Sequence, residues 1–236
     1  MIRIDFLGTG NAFTPSGRLH ALTLIDGKIL IDTPPTLITQ LRRKGLKTSE
    51  IEYLLFTHWH ADHTFGFPFF MLERKYISDP KREKDLKIYL RPGGKEKISN
   101  LCNIGFPGSL EDVEKMAHWH EEEMCELAGT NWSFERFPVC HTPETDPHGY
   151  ELTHNTGIKV LHCGDSGPCE EIESRAESAD VVILEMGMPD IGKFPYHYTP
   201  SDVINLANKY PKSLVLVTHN IASSKNIYEG YRVPEL

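Results

Sequence analysis

The amino-acid sequence predicts a mixed α/β (α+β) fold with buried sheets, and three observations point to it. Short apolar stretches with strand character alternate with helical stretches along the chain. Several of these strands are continuously apolar, which is typical of strands covered on both faces of a sheet. Turn-forming residues separate the segments. This order of elements predicts helices that pack on sheets around a core.

The first half of the chain is expected to form four strands and three helices. The strands are predicted at residues 2–7, 21–26, 28–32 and 53–57. The helices are predicted at residues 36–44, 62–74 and 94–101. Gly45 follows the first of these helices directly, in the position where a glycine commonly ends a helix.

The second half is expected to begin with a helix that starts near Ser109 and continues towards Leu127. Strands are predicted at residues 133–140, 149–153, 157–162, 181–184 and 214–217, and a helix near residues 169–178. Thr199 is expected to cap a last helix. A hydroxyl at the cap, Pro200 in the first turn and the carboxylate of Asp202 all favour a helix N-terminus.

Length and composition favour a single domain that spans residues 1–236. The net charge of −8 gives no overall attraction to nucleic acid or to an anionic membrane. No apolar run approaches the roughly 20 residues that span a bilayer, and the first strand lacks the apolar core of a signal peptide. We therefore expect a cytoplasmic protein. The five cysteines have no CxxC spacing, which predicts reduced thiols rather than a disulfide framework.

Residues 58–63 carry the strongest chemical signal, the pattern H-x-H-x-D-H directly after an apolar strand. Neutral imidazoles and carboxylates are metal ligands, and here His58, His60, Asp62 and His63 supply four of them within six residues. A strand that ends at this point would hold them rigidly while the turn lets the side chains converge. The pattern therefore predicts a metal site.

Three later strands end in residues of the same kinds. They are followed by His141, Asp165 and His219. Ligands that come from the ends of several strands are what a metal site in an α/β fold requires. A single histidine after a strand is more often structural, and these three gain weight only beside the H-x-H-x-D-H pattern.

Other histidines show how weak spacing alone is as a signal. His118 and His120 have the same H-x-H spacing, but they lie in a glutamate-rich stretch with no acid in ligand position. We interpret them as a solvated helix face. Four more histidines have no motif around them and are interpreted as structural: His20, His148, His154 and His162.

The order of these motifs resembles the metallo-β-lactamase fold superfamily over essentially the whole chain. The opening segments, with sequences FLGTG at residues 6–10 and LIDT at residues 30–33, are similar to the branch that contains ribonuclease Z and related phosphodiesterases. The resemblance implies a four-layer αββα sandwich. Pro34 and Pro35 depart from the pattern, because relatives commonly have a glycine soon after Asp32.

The resemblance also implies a set of roles for this chain's residues. One metal would be held by His58, His60 and His141, and a second by Asp62, His63 and His219, with Asp165 between the two. Glu185 and His197 match two further elements of the ribonuclease Z-like branch, in which the glutamate orients a histidine that donates a proton or stabilises charge at the scissile phosphate. Asp62, Glu185 and His197 are thus the expected catalytic residues.

Two Zn²⁺ ions are the expected cofactors, with Mn²⁺ or Fe²⁺ as alternatives, because zinc takes nitrogen and oxygen ligands and keeps a position for water in catalytic sites. Two such ions can hold a hydroxide between them at neutral pH. Two divalent ions, two aspartates and a hydroxide leave the site with one positive charge, which favours an anionic substrate such as a phosphodiester. We expect the hydroxide to attack this phosphodiester, with His197 assisting the leaving oxygen.

The identity of the substrate stays open. Relatives that process tRNA carry a long arm, whereas this chain offers only short basic patches, among them Arg74-Lys75, which we interpret as solvated faces. A small or cyclic phosphodiester, or a nucleic-acid end, therefore fits better than intact tRNA. Alternatives are hydrolysis of a lactone, thioester or aryl sulfate on the same fold, and a non-catalytic, metal-free binding protein. The resemblance also allows a homodimer.

Overall fold

The computed structural model describes residues 2–14, 17–191 and 194–221. The chain divides into two compact units, one formed by residues 1–8 and 20–122 and the other by residues 9–19 and 123–236. The described residues of each unit contain one six-stranded sheet with helices, which confirms the mixed α/β class. None of the described helices combines the length and the apolar character that crossing a membrane requires.

The first unit is built on a sheet whose strands follow one another in chain order. They are Ile4–Gly8 (β1), Leu22–Ile25 (β2), Ile29–Ile31 (β3), Tyr53–Leu55 (β4), Lys87–Tyr89 (β5) and His118–His120 (β6). The pairs β1–β2 and β2–β3 are antiparallel, and β3 to β6 run parallel. The helices are Leu37–Arg43 (α1), Ala61–Thr64 (α2), Phe67–Glu73 (α3) and Gly94–Gly105 (α4). All three residues of β4 are buried, as the apolar run predicts.

The second unit is built on a sheet in which the chain order is also the spatial order, from edge to edge. Its strands are Met124–Glu126 (β7), Trp132–Pro138 (β8), His148–His154 (β9), Lys159–His162 (β10), Val181–Met186 (β11) and Leu214–Asn220 (β12). The strands β7 to β10 are antiparallel neighbours, whereas β10, β11 and β12 run parallel. The helices are Glu170–Ala176 (α5) and Pro200–Lys209 (α6).

The predicted N-terminal cap of the last helix is confirmed. The Thr199 hydroxyl accepts a hydrogen bond from the backbone N–H of Asp202, and the Asp202 carboxylate accepts one from the backbone N–H of Thr199. Two of the N–H groups that a helix leaves unbonded at its start are thereby satisfied. This cap fixes where α6 begins, three residues after His197.

The single helix expected over residues 62–74 is wrong, because the chain turns at Gly66 between α2 and α3. Gly66 donates its backbone N–H to the Thr33 carbonyl at 2.8 Å. A Cβ atom at Gly66 would lie 2.0 Å from the carbonyl oxygen of Pro34. This close approach of two backbone segments interrupts a stretch whose side chains are otherwise compatible with one helix.

The helix expected from Ser109 towards Leu127 is also wrong. Only a short 3-10 turn forms there, at Val113–Lys115, and the chain then enters β6 and β7. His118 and His120 therefore lie on a strand that pairs in parallel with β5, not on a helix face. Pairing with the edge of an existing sheet outweighs the weak local helix preference of the glutamate-rich stretch.

Arg74 is not the solvated cation that the basic patch predicted. Its side chain is only 2% exposed. Its guanidinium donates to the backbone carbonyls of Thr48, Ile51, Lys84 and Asp85 at 2.7–3.2 Å. Arg74 thus ties together loops of the first unit, as buried arginines with satisfied N–H groups do, and it is not available to a nucleic acid.

Candidate metal centre

The first unit places four of the expected ligands on the turn that follows β4. His58 comes three residues after the strand, and His60 is the residue before α2. Asp62 and His63 lie in the first turn of that helix. His58 and His63 are buried, whereas His60 and Asp62 are partly exposed. A buried strand and a short helix therefore hold these four side chains between them.

Asp32 orients this group of ligands, although the sequence analysis assigned it no role. It follows β3, the parallel neighbour of β4, and is 3% exposed. Its carboxylate accepts hydrogen bonds from His63 Nδ1 at 2.8 Å, from the Thr57 hydroxyl at 2.7 Å and from the Thr57 backbone N–H at 2.8 Å. A carboxylate that accepts a hydrogen bond from one ring nitrogen fixes the tautomer of a metal-ligating histidine. With its proton on Nδ1, His63 presents its lone pair at Nε2.

His58 is oriented through Thr57 in the same way. The Thr57 hydroxyl gives its proton to Asp32, so that its oxygen accepts from His58 Nδ1 at 3.1 Å. The lone pair of neutral His58 is then on Nε2, which lies 3.1 Å from His60 Nδ1. His63 Nε2 lies 3.5 Å from an oxygen of Asp62. The first unit thus contains two close pairs of atoms of the kinds that bind metals.

The second unit places the other three expected ligands at the ends of its strands. His141 follows β8, Asp165 follows β10, and His219 is in β12. All three are buried. His141 donates Nδ1–H to the carbonyl of Tyr196 at 2.9 Å, which leaves the lone pair on Nε2. His219 Nε2 lies 3.1 Å from an oxygen of Asp165, and ligand atoms of His141 and Asp165 lie within 4.8 Å of each other.

Glu185 and His197 form a hydrogen bond within the second unit. The Glu185 side chain lies in β11 and is fully buried, and its Oε1 is 2.7 Å from His197 Nδ1. Burial raises the pKa of Glu185, while the contact with His197 works against that rise. The His197 ring lies parallel to the His219 ring, with 6.0 Å between the ring centres. His197 is therefore held by a buried carboxylate next to an expected ligand.

Gly187 allows this pair to form, and spacing along the sequence gave no sign of it. Its backbone N–H donates to the second oxygen of Glu185. A Cβ atom at Gly187 would lie 2.8 Å from Glu185 Oε2 and 2.9 Å from His197 Nδ1. Asp32 and Thr57 were missed for a similar reason. Their roles depend on contacts between neighbouring strands. The only sequence feature that drew attention to either residue was the LIDT segment around Asp32, which is similar to a segment of the family.

The donor atoms suit a divalent metal such as zinc. Two ligands of a tetrahedral zinc ion, each about 2.0–2.2 Å from it, lie roughly 3.3–3.6 Å apart. The two pairs of the first unit are separated by 3.1 and 3.5 Å, and the pair of the second unit by 3.1 Å, close to this spacing. Lone pairs that face each other at this distance are stabilised by a cation between them. The residues present therefore fit the expected metals.

Proteins of similar sequence include enzymes whose names state that they use zinc or cleave phosphodiesters. The family model for the beta-lactamase superfamily domain matches residues 28–220. Ribonuclease Z of Pyrococcus abyssi is 32% identical over 258 residues, which cover 89% of this chain and 83% of that protein. Human zinc phosphodiesterase ELAC protein 2 is 24% identical, and the match covers 92% of this chain but 29% of that protein.

A solved structure supports the same fold. The short form of human tRNase Z superposes with a TM-score of 0.73 at 22% identity, over 93% of both chains. The fold and the donor atoms thus define a metal-dependent hydrolase of the metallo-β-lactamase fold. This chain belongs to the β-lactamase superfamily, in the branch that contains ribonuclease Z.

Proposed function

We propose that this hydrolase is a phosphodiesterase that uses two zinc ions to cleave a small or cyclic phosphodiester or a nucleic-acid end, with Mn²⁺ or Fe²⁺ as alternative metals. The names of its relatives, ribonuclease Z and zinc phosphodiesterase, support both the bond and the metal. The imidazole and carboxylate donors support zinc independently of those names.

We assign the ligands by combining the sequence motifs with the contacts inside each unit. His58, His60 and His141 would hold one ion, and Asp62, His63 and His219 the other, with Asp165 shared. When bound, such ions supply positive charge that polarises a phosphate and acidifies a water molecule. Their charge exceeds that of the two aspartates, so the site attracts an anion although the chain carries −8.

His197 is the residue that distinguishes phosphodiester cleavage from other hydrolysis in this proposal. Its Nδ1 faces the Glu185 carboxylate at 2.7 Å, so Nδ1 carries a proton and Nε2 is the nitrogen that acts on the substrate. A protonated His197 stabilises negative charge on the phosphate and donates a proton to the leaving oxygen. Glu185 keeps the ring in this orientation and offsets its positive charge. The contact between the buried Glu185 carboxylate and the partly exposed His197 ring is the observation that carries the proposal.

The experiment compares His197→Ala with the unmodified protein on three substrate types: bis(p-nitrophenyl) phosphate, an acyl-homoserine lactone and a glutathione thioester. We expect the phosphodiesterase kcat/KM of His197→Ala to fall roughly 10²–10⁴-fold, the range for loss of a positioned acid. Its metal content, measured by elemental analysis, should equal that of the unmodified protein. His118→Ala, which removes an exposed histidine of β6, is the matched control.

Three results would contradict the proposal in different ways. Full phosphodiesterase activity in His197→Ala would remove His197 from the mechanism. Faster hydrolysis of the lactone or the thioester would favour the corresponding carbonyl hydrolase on this fold. Well under one metal ion per chain, with no activity on any substrate, would favour a binding protein.

A second comparison distinguishes the two kinds of phosphodiester substrate. A short RNA with a 3′ extension and a cyclic nucleotide are tested side by side, and the faster reaction shows whether a nucleic-acid end or a small phosphodiester is preferred.

A further inference from the structure

Asn11 makes a long-range hydrogen bond to which the proposed function assigns no role. It lies in the segment that follows β1 and is only 2% exposed. Its side-chain nitrogen donates to the backbone carbonyl of Gly187 at 3.3 Å, across 176 positions of the sequence. Its side-chain oxygen accepts the backbone N–H of Phe13 at 3.1 Å. Because only the oxygen can accept this bond, the contact with Phe13 turns the nitrogen towards Gly187.

The segment that carries Asn11 is fixed to the end of β12. The Asn220 backbone N–H donates to the Thr9 carbonyl at 2.7 Å, and Gly10 pairs with Asn220 in a parallel bridge. Gly10 also donates its N–H to the carbonyl of Leu19 at 2.7 Å, and a Cβ atom at Gly10 would lie 2.9 Å from that oxygen. The backbone on which the Asn11 side chain stands is therefore held on both sides.

Gly187 brings this contact to the Glu185–His197 pair. Its backbone N–H donates to the Glu185 carboxylate. A Cβ atom at Gly187 would lie 2.8 Å from Glu185 Oε2, 2.9 Å from His197 Nδ1 and 3.2 Å from His219 Nδ1. The backbone of Gly187 thus packs directly against the polar atoms of all three side chains. Since glycine has more backbone freedom than any other residue, neighbouring groups must fix its conformation.

The two peptide groups that flank the Gly187 Cα atom are held differently. The N–H of the preceding peptide group is bonded to Glu185. The following peptide group is held by two bonds of 3.3 Å each. One comes from the Asn11 side chain to the Gly187 carbonyl, and the other runs from the Met188 N–H to the Tyr198 carbonyl. Without Asn11, rotation of this peptide group would be opposed by one long bond.

We propose that Asn11 is a positioning residue, which holds the Gly187 backbone so that Glu185 stays aligned with His197. The effect on catalysis rests on the proposed function, whereas the effect on the Glu185–His197 contact does not. Rotation at Gly187 would move the N–H that Glu185 accepts, and the carboxylate would then no longer hold the imidazole in one orientation. A displacement of about 1 Å, even one caused far from the reacting atoms, can cost roughly 100-fold in rate.

The first test observes the Glu185–His197 contact by proton NMR of the zinc-loaded protein. A hydrogen-bonded imidazole N–H gives a signal downfield of the backbone amides, and its disappearance in His197→Ala identifies it. We expect this signal to shift upfield and broaden in Asn11→Ala. Ser213→Ala is the matched control, because it also removes a side-chain bond to a backbone carbonyl of the second unit, just before β12 begins. Its spectrum should keep the signal unchanged.

Asn11→Asp is a second variant for the same measurement. It keeps an oxygen that accepts from Phe13 and removes only the donor to Gly187. It should therefore change the signal in the same way, even if alanine at this position disturbs the segment after β1.

The second test compares Asn11→Ala, His197→Ala and the double variant on bis(p-nitrophenyl) phosphate. Asn11→Ala should lower kcat roughly tenfold or more, while KM and the metal content, measured by elemental analysis, stay as in the unmodified protein. Since Asn11 would act only through the Glu185–His197 contact, the double variant should have the kcat of His197→Ala. Residues that act as a unit show this lack of additivity.

Two results would overturn the proposal. One is an unchanged NMR signal in both Asn11 variants, and the other is a further fall in kcat when Asn11→Ala is added to His197→Ala. The same changes in Ser213→Ala would also overturn it, because they would show a general effect of lost stability. If the unmodified protein cleaves no phosphodiester, the proposed function fails, and the NMR comparison alone decides the role of Asn11.

Discussion

At the scale of single residues, the sequence indicates ligands better than it indicates the groups that orient them. The H-x-H-x-D-H pattern points to His58 and His63, because so many ligand-type residues at such close spacing rarely occur by chance. Asp32 shows no such pattern, yet its buried carboxylate accepts three hydrogen bonds that fix His63 and, through Thr57, His58. Its role becomes visible only when β3 and β4 lie side by side. Outer hydrogen-bond partners of this kind control metal affinity.

Replacing Asp32 with asparagine tests that role. The substitution keeps the size of the side chain but removes its charge, and it replaces one accepting oxygen with an N–H₂ group that can only donate, so asparagine cannot accept all three hydrogen bonds. We expect the zinc dissociation constant of Asp32→Asn to rise roughly 10–100-fold, measured by competition with a chromogenic chelator. Asp79→Asn is the matched control, because Asp79 is also a buried aspartate of the first unit but accepts from the backbone of Glu83 and Lys84. Equal zinc affinity in both variants would show that Asp32 is structural only.

At the scale of elements, the sequence predicts helices and strands that depend on neighbouring residues. It misses those that depend on backbone contacts with residues far away in the chain. Most strands of both sheets and the cap at Thr199 were predicted from local sequence patterns, whereas the strands β5, β6 and β7 were not. The break at Gly66 depends on the carbonyl of Pro34, which is 32 residues away in the chain. The strand at His118–His120 depends on the free edge of β5. No local pattern within those segments carries this information.

Gly66→Ala tests whether the turn between α2 and α3 requires a glycine. The new methyl group would lie 2.0 Å from the Pro34 carbonyl oxygen, so two backbone segments must separate. We expect a loss of about 1–3 kcal/mol in the free energy of unfolding, as for an overpacked core, measured by urea denaturation. Gly105→Ala, also in the first unit, is the control because its methyl would meet Pro68 at an ordinary 3.5 Å. A Gly66→Ala protein as stable as the control would refute the steric explanation.

At the scale of the whole molecule, the path of the chain links the two units. Residues 9–19 belong to the second unit, although β1 before them and β2 after them belong to the first. Within the second unit, Asn220 donates its backbone N–H to the Thr9 carbonyl at 2.7 Å, and the Asn11 side chain donates to the Gly187 carbonyl at 3.3 Å. In the segment between β1 and β2, Thr9 and Asn11 thus form hydrogen bonds with residues from the C-terminal part of the second unit.

From this connectivity we propose that residues 1–236 form a single cooperative domain, and we expect one unfolding transition. Loss of structure in the second unit releases residues 9–19 and with them the ends of β1 and β2, so neither unit should persist alone.

Tryptophan fluorescence can follow each unit separately, because Trp59 and Trp119 lie in the first and Trp132 in the second. In Trp132→Phe the fluorescence reports the first unit, and in the double variant Trp59→Phe/Trp119→Phe it reports the second. Each fluorescence transition in urea should coincide with the far-UV circular dichroism transition of the same protein, as two-state unfolding requires. The comparison is made within each variant, so a change in stability caused by a substitution does not affect it. A fluorescence midpoint that departs from the dichroism midpoint in either protein would show that the two units unfold as separate domains.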